Sequence, residues 1–256
     1  MARFDLTDFE WSVIEPLLPT KVRGKARVDD RRVLNGIFWR LRTGAPWADI
    51  PARYGPYTTC VNRFNRWRHA GHWERILNAI SEAYDGDIQM IDSSSIRVHQ
   101  HAANGQKKKS DPVGMGRSRG GLTTKIHALV DADGRPILLK LTPGQAHDGR
   151  SAADMFETVR AGNILLADRA YDSDALRQNL KTRGAWGCIR PMPNRVNIPV
   201  FSPWLYKQRN AVERFFNKLK HFRAVATRYD KRDDNFLASV QLASIRIWLR
   251  SYESVT

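Results

Sequence analysis

The sequence predicts an α/β protein: a mixed central β-sheet with helices around it, preceded by a small all-α, helix–turn–helix-like domain. Three observations carry this. Apolar residues recur at helical spacing as far as about residue 84, the spacing shortens to the alternation of strands from residue 87, and strand-like runs come in a row before helix and strand alternate. The expected domains are therefore 1–86 and 87–256.

Thr7 and Glu10 form a capping box ahead of Trp11, Ile14, Leu17 and Leu18, so a first helix ends near Pro19. Asp29 caps a second helix whose inner face is Val33, Leu34, Ile37, Phe38 and Leu41, and Gly44 stops it. A turn-rich stretch from Ala45 to Pro51 leads to a third helix through Val61, Phe64 and Trp67, and Trp73, Ile76, Leu77 and Ile80 mark a fourth. Trp39, Trp47, Trp67 and Trp73 read as core. Strands are expected at 88–99, 123–131 and 136–142, the last two joined by a hairpin turn at Asp131-Ala-Asp-Gly134. A helix over 148–162, a buried strand at 163–168, a helix at 173–183 and a short strand at 186–190 follow. A proline-rich connector with Pro191, Pro193, Pro199 and Pro203 leads into the helix carrying Glu213, and an apolar helix over about 234–251 closes the chain.

The 256 residues carry a net charge of +16, and 42% are apolar, enough for a core. The charge is clustered. Residues 1–75 hold 14 Lys/Arg against 8 Asp/Glu, residues 104–125 six against one, and residues 206–232 nine against two, leaving the remainder slightly acidic. Such clustering predicts a polyanion partner, nucleic acid, and the absence of a long one-sided basic stripe argues against a membrane surface. No run approaches the roughly 20 apolar residues of a membrane span, and the N-terminal residues lack a signal-peptide core, so the expected location is cytoplasmic. Cys60 and Cys188 lack metal-ligand spacing and read as reduced, buried thiols.

The chemistry concentrates on three acids. Asp92 follows the apolar run from Ile88, and Asp168 follows the one from Asn163. Glu213 lies between cations, and helical spacing puts Tyr206, Arg209, Glu213 and Lys220 on one face, with Val212, Phe215, Phe216 and Leu219 covering much of the rest. Two carboxylates at strand ends and one on a helix can hold two divalent ions, about 3.5–4 Å apart, on either side of a phosphodiester undergoing in-line displacement. Arg209 and Lys220 are candidates for phosphate contact or for supporting the Glu213 charge, and Tyr206 for stacking or packing. Asp148, Asp172 and Asp174 read as helix caps instead. His99, His101, His127 and His147 form no zinc set. In the helix–turn–helix candidate, the outward positions of the third helix, Thr58, Thr59, Asn62, Arg63 and Arg66, are residue types that contact phosphates and base edges. The basic loop 104–121, with Lys107, Lys108, Lys109, Arg117 and Arg119, is a candidate DNA-backbone clamp.

The spacing Tyr206-x2-Arg209-x3-Glu213-x6-Lys220 resembles the Y-R-E-K signature of bacterial insertion-sequence transposases. With the stretches Leu6 to Pro19, Arg42 to Pro51 and Gly116 to His127, the chain is similar to the insertion-sequence-five family of DDE transposases over about residues 5–250. The resemblance implies a ribonuclease-H-like catalytic domain with Asp92, Asp168 and Glu213 as its triad. It also implies terminal-inverted-repeat binding through the helical domain, and a bacterial, nucleoid-associated location. The expected activity is hydrolysis at the element's ends, freeing 3′-hydroxyls that attack target DNA. Two Mg²⁺ ions per site are expected, with Mn²⁺ substituting, and at least a dimer on double-stranded DNA. A nuclease without strand transfer and a non-catalytic repressor are the alternatives.

Overall fold

The computed structural model describes residues 3–19, 28–82, 84–103, 114–151 and 153–253. The helices are α1 (Asp8–Ile14), α2 (Asp30–Thr43), α3 (Tyr57–His69), α4 (His72–Ser81), the single turns α5 (Gln100–Ala103) and α6 (Asp148–Ser151), α7 (Asp174–Thr182), the single turn α8 (Pro203–Tyr206), α9 (Asn210–Lys220), the single turn α10 (Arg223–Ala226) and α11 (Asp233–Glu253). The strands of the sheet are β1 (Ile88–Val98), β2 (Gly116–Ser118), β3 (Gly121–Asp131), β4 (Pro136–Pro143), β5 (Ile164–Ala167) and β6 (Trp186–Ile189). Two compact units emerge: 1–81 with 99–106 and 218–256, and 82–98 with 107–217, the division falling within α9.

The first unit is helical. The capping box of α1 forms as expected, with Thr7 and Glu10 each bonding the other's backbone N–H. Asp29 caps α2, and Gly44 ends it at φ 74°. Two 3-10 turns, Trp47–Asp49 and Ala52–Tyr54, carry the chain from α2 to α3. The helix α11 packs against α4, α1, α2 and α3, so Trp73, Phe236 and Trp248 share one buried core. Trp67 is buried as well, whereas Trp39 and Trp47 are half-buried. Cys60 is a buried free thiol.

The second unit is the mixed sheet. Its strands run β2-β3-β1-β5-β6, with β4 also on β3. β3 is antiparallel to β1, β2 and β4, while β1, β5 and β6 are mutually parallel neighbours. Successive side chains alternate between faces, so Ile91, Leu129, Leu165, Ala167 and Ile189 fill one face together with Met155, Phe156, Val159, Tyr171, Leu176 and Leu180. The hairpin turn forms as expected, and the buried Asp131 carboxylate accepts from the N–H groups of Asp133 and Arg135 and pairs with the Arg135 guanidinium.

Three expectations change. The helix expected over 148–162 is only the turn α6 and a 3-10 stretch, Ala153–Thr158. Lys140 Nζ, from β4, donates to the Ser151 carbonyl at 2.6 Å and pairs with Asp154, so the chain at the break is tied to the sheet. Tyr206 and Arg209 precede α9 rather than lying within it, because Lys207–Arg209 tighten to 3-10. The Tyr206 ring meets Phe201 edge-on. Ser173, not Asp172 or Asp174, caps α7. Asp172 pairs with Arg177 and Arg195, and Asp174 with Arg195.

Gly134 ends the β3–β4 turn at φ 78°, and a Cβ there would stand 2.5 Å from the Ala211 carbonyl oxygen on α9. Gly134→Ala is therefore expected to destabilise by about 1–2 kcal/mol from the left-handed backbone alone, and by more from the clash. A fall in the urea midpoint at unchanged slope would report it; an unchanged midpoint would show that turn and helix part at no cost.

Candidate active site

The acids are brought together by register. β1 and β5 pair in parallel from Ile88 with Ile164 to Met90 with Leu166. Carried two residues further, that alignment sets Asp92 beside Asp168 where the strands diverge. Asp168 then leaves the strand: its side chain accepts from the Ala170 N–H at 2.9 Å and caps the 3-10 turn Arg169–Tyr171. Glu213 arrives on α9, whose Val212, Phe215, Phe216 and Leu219 are all buried, as its apolar stripe predicts.

Arg209 ties the cluster. Its Nη2 donates to Asp92 Oδ2 at 2.7 Å and its Nη1 to Glu213 Oε1 at 3.0 Å, joining two acids 121 residues apart in sequence with one guanidinium. Its Cζ lies 5.9 Å from the Tyr206 ring centre. Asp92 Oδ1 accepts from the Ser93 N–H. Burial pushes the Asp92 carboxyl up to about 6; Arg209 and the Ser93 N–H oppose this, while the charges of Asp168 and Glu213 add to it. Against its own burial, Arg209 is held above its ordinary value by Asp92, Tyr206, Asp168 and Glu213. The three acids therefore share one electrostatic environment, and it is negative enough to want a cation.

Hard oxygen donors in such an environment suit a divalent cation such as Mg²⁺. They are not gathered into a cage: among the described residues no three His, Cys, Asp or Glu side chains stand in a metal-holding group. The donor chemistry and the charge fit the ion, and Arg209 supplies positive charge between two of the donors.

A second set of side chains borders the acids, one that no motif or spacing marks. Asp148 is no helix cap. Its Oδ1 accepts from Ser93 Oγ and from Lys125 Nζ, each at 2.9 Å, and Lys125 also donates to the Ala146 carbonyl. Only the β1–β3 register, which aligns Ser93 with His127 and Ser95 with Lys125, brings these groups within reach. Tyr171, three residues after Asp168, is also part of this border. His127 is buried and bonded to Thr142, as a sheet histidine should be.

The other candidates divide. On α3, Thr58, Asn62 and Arg66 are exposed and Thr59 is half-buried. Arg63 is not an outward residue. It shares the i, i+3, i+4, i+7 inner stripe with Cys60, Phe64 and Trp67, is 3% exposed, pairs with Asp30 and lies over the Trp67 ring. Arg117 is exposed on β2 rather than in a loop, and Arg119 is exposed in the following turn. Lys107, Lys108 and Lys109 lie outside the described residues. Lys220 is exposed in the last turn of α9.

Residues 6–77 match the family model described as putative transposase of IS4/5 family, and residues 83–248 match the transposase DDE domain. The chain is 41% identical over 133 residues to the putative transposase for insertion sequence element IS6501 of Brucella ovis, covering 50% of this chain and 100% of that protein. It is 35% identical over 126 residues to an uncharacterized 16.2 kDa protein of insertion element IS402 from Burkholderia cepacia, covering 44% of this chain and 84% of that one. Among solved structures, the piggyBac transposase synaptic complex with hairpin DNA aligns at a TM-score of 0.54 and 12% identity, over 95% of this chain and 71% of that chain. That likeness bears out the ribonuclease-H-like fold.

Proposed function

The chain belongs to the DDE-domain transposase family, and from that premise we propose that it binds the terminal inverted repeats of an insertion sequence, cuts at the element's ends and joins them to target DNA, with Asp92, Asp168 and Glu213 as its catalytic acids. The observation that supports these three is the Arg209 bridge from Asp92 to Glu213, beside a strand alignment that runs Asp92 towards Asp168.

The family implies a divalent-metal requirement. Asp92, Asp168 and Glu213 would hold the ions, two Mg²⁺ with Mn²⁺ able to substitute, and bound there they supply charge relief for the leaving 3′-oxygen and activation of the attacking oxygen. The chain's own residues do the rest. Asp92 keeps one oxygen on the Ser93 N–H and the other on Arg209, and Asp168 keeps one on the Ala170 N–H, so each acid is held in orientation. Arg209, whose fork of donors suits a phosphate, would contact the DNA backbone beside Asp92 and Glu213. Lys220, near the end of the same helix, adds a point charge for the backbone, and Arg117 and Arg119 supply further exposed cations. Sequence recognition falls to Thr58, Thr59, Asn62 and Arg66 on α3, whose residue types read base edges and phosphates. Two ends processed together require at least a dimer on DNA, at the bacterial nucleoid.

The test is a strand-transfer assay with labelled element ends, a target plasmid and Mg²⁺, against an EDTA control. Metal-dependent joined product that disappears in Asp92→Asn is the expected result. Specific end binding without cutting would replace this reading with a repressor, and unspecific cutting without joining would replace it with a nuclease.

A further inference from the structure

Tyr171 carries a hydroxyl that the fold leaves unanswered. The residue is 1% exposed, its ring stacks on Phe156 at 6.3 Å within the core, and its backbone N–H bonds the Asp168 carbonyl. Gly149 lies against its backbone, a Cβ there falling 3.4 Å from the Tyr171 Cα, so the turn that carries Asp148 packs on the turn that Asp168 caps and that holds Tyr171. Burial first, and then the charges of Asp92, Asp148 and Asp168, hold its proton on well above the usual range.

Yet the hydroxyl has no hydrogen-bond partner among the described residues. The acids around it are already committed: Asp92 to the Ser93 N–H and Arg209, Asp148 to Ser93 and Lys125, Asp168 to the Ala170 N–H. Buried hydroxyls are ordinarily satisfied, and an orphan beside a functional cluster calls for a missing partner. Phenylalanine would fill the same space without the penalty. A hydrated divalent ion keeps several waters when it binds through few carboxylates, and such a water can both accept from and donate to a phenol.

We propose that Tyr171 is a positioning residue whose hydroxyl hydrogen-bonds the water shell that a divalent ion brings to Asp92 and Asp168. The inference rests on those two acids being the ion's ligands. Partners of this kind, one step removed from the metal, orient the ligand set and raise affinity by roughly ten- to a hundredfold.

Calorimetric titration of the full chain with Mn²⁺ alone, paired with thermal melts in EDTA, tests it without recourse to activity. Tyr171→Phe is expected to bind Mn²⁺ at least about tenfold more weakly, while its melting temperature in EDTA equals or exceeds that of the parent. Wild-type affinity in Tyr171→Phe, with binding lost in Asp92→Asn, would overturn the role of Tyr171 and leave the ligand assignment standing. Wild-type affinity in Asp92→Asn would overturn the ligand assignment itself. A lowered EDTA melting temperature in Tyr171→Phe would make the hydroxyl a structural group and sink the proposal.

Discussion

Glu213→Gln abolishes end cleavage and leaves DNA affinity unchanged or raised: this is the expected outcome of a single-turnover assay run beside anisotropy binding in EDTA. The substitution removes one oxygen charge from the acid cluster and changes almost nothing else. The Glu213 side chain is 56% exposed and accepts a hydrogen bond from Arg209, which a glutamine oxygen accepts equally well. Arg209 keeps its pair with Asp92 whichever residue stands at 213, so folding should scarcely notice. Catalysis should. Metal-supplied charge stabilisation is worth several kcal/mol, so its loss slows cleavage on the order of a thousandfold or more. Binding moves the other way, because one negative charge near the phosphates has gone. Equal loss of binding and cleavage would make Glu213 a structural residue and the triad wrong.

Much of the fold was legible because it rests on local periodicity. The stripe Val212, Phe215, Phe216 and Leu219 announced a buried helix, the capping box announced α1, and Asp131 to Gly134 announced the hairpin. Misreadings came where a distant group overrode the local pattern. Lys140 ties the Ser151 carbonyl to β4 where the helix expected at 148–162 is interrupted. Arg63 was read by its charge, although its stripe with Cys60, Phe64 and Trp67 pointed inward, and Asp30 supplied the partner that makes burial tolerable. The site was half legible. Residue type and motif spacing proposed Asp92, Asp168 and Glu213, but the Arg209 bridge and the Ser93–Asp148–Lys125 set depend on strand register and on where Arg209 meets β1, which no window of sequence contains.

Glu10→Ala carries the largest expected cost in stability. Glu10 is 1% exposed and pairs through Oε2 with Arg246, itself 4% exposed, at 2.9 Å, while the same oxygen accepts from the Thr7 N–H to close the capping box. Burial pulls the Arg246 guanidinium down to about 10 even though Glu10 opposes the shift, a measure of how strongly that site resists a charge. Arg246 otherwise has the Asp5 carbonyl and the face of Phe38, and its Nη1 already lacks a partner among the described residues. Alanine at position 10 leaves that cation buried without its counter-ion, which costs about 3–5 kcal/mol, and the cap loses up to about 1 kcal/mol besides. Against a typical total of about 5–15 kcal/mol, the variant should populate unfolded chain at physiological temperature. Chemical denaturation measures it directly. The double variant Glu10→Ala with Arg246→Met separates the two costs, because removing both charges and filling the space apolar should recover most of the buried-pair loss while leaving the cap unmade. No recovery in the double variant would mean that the cap, not the ion pair, holds α1 to α11.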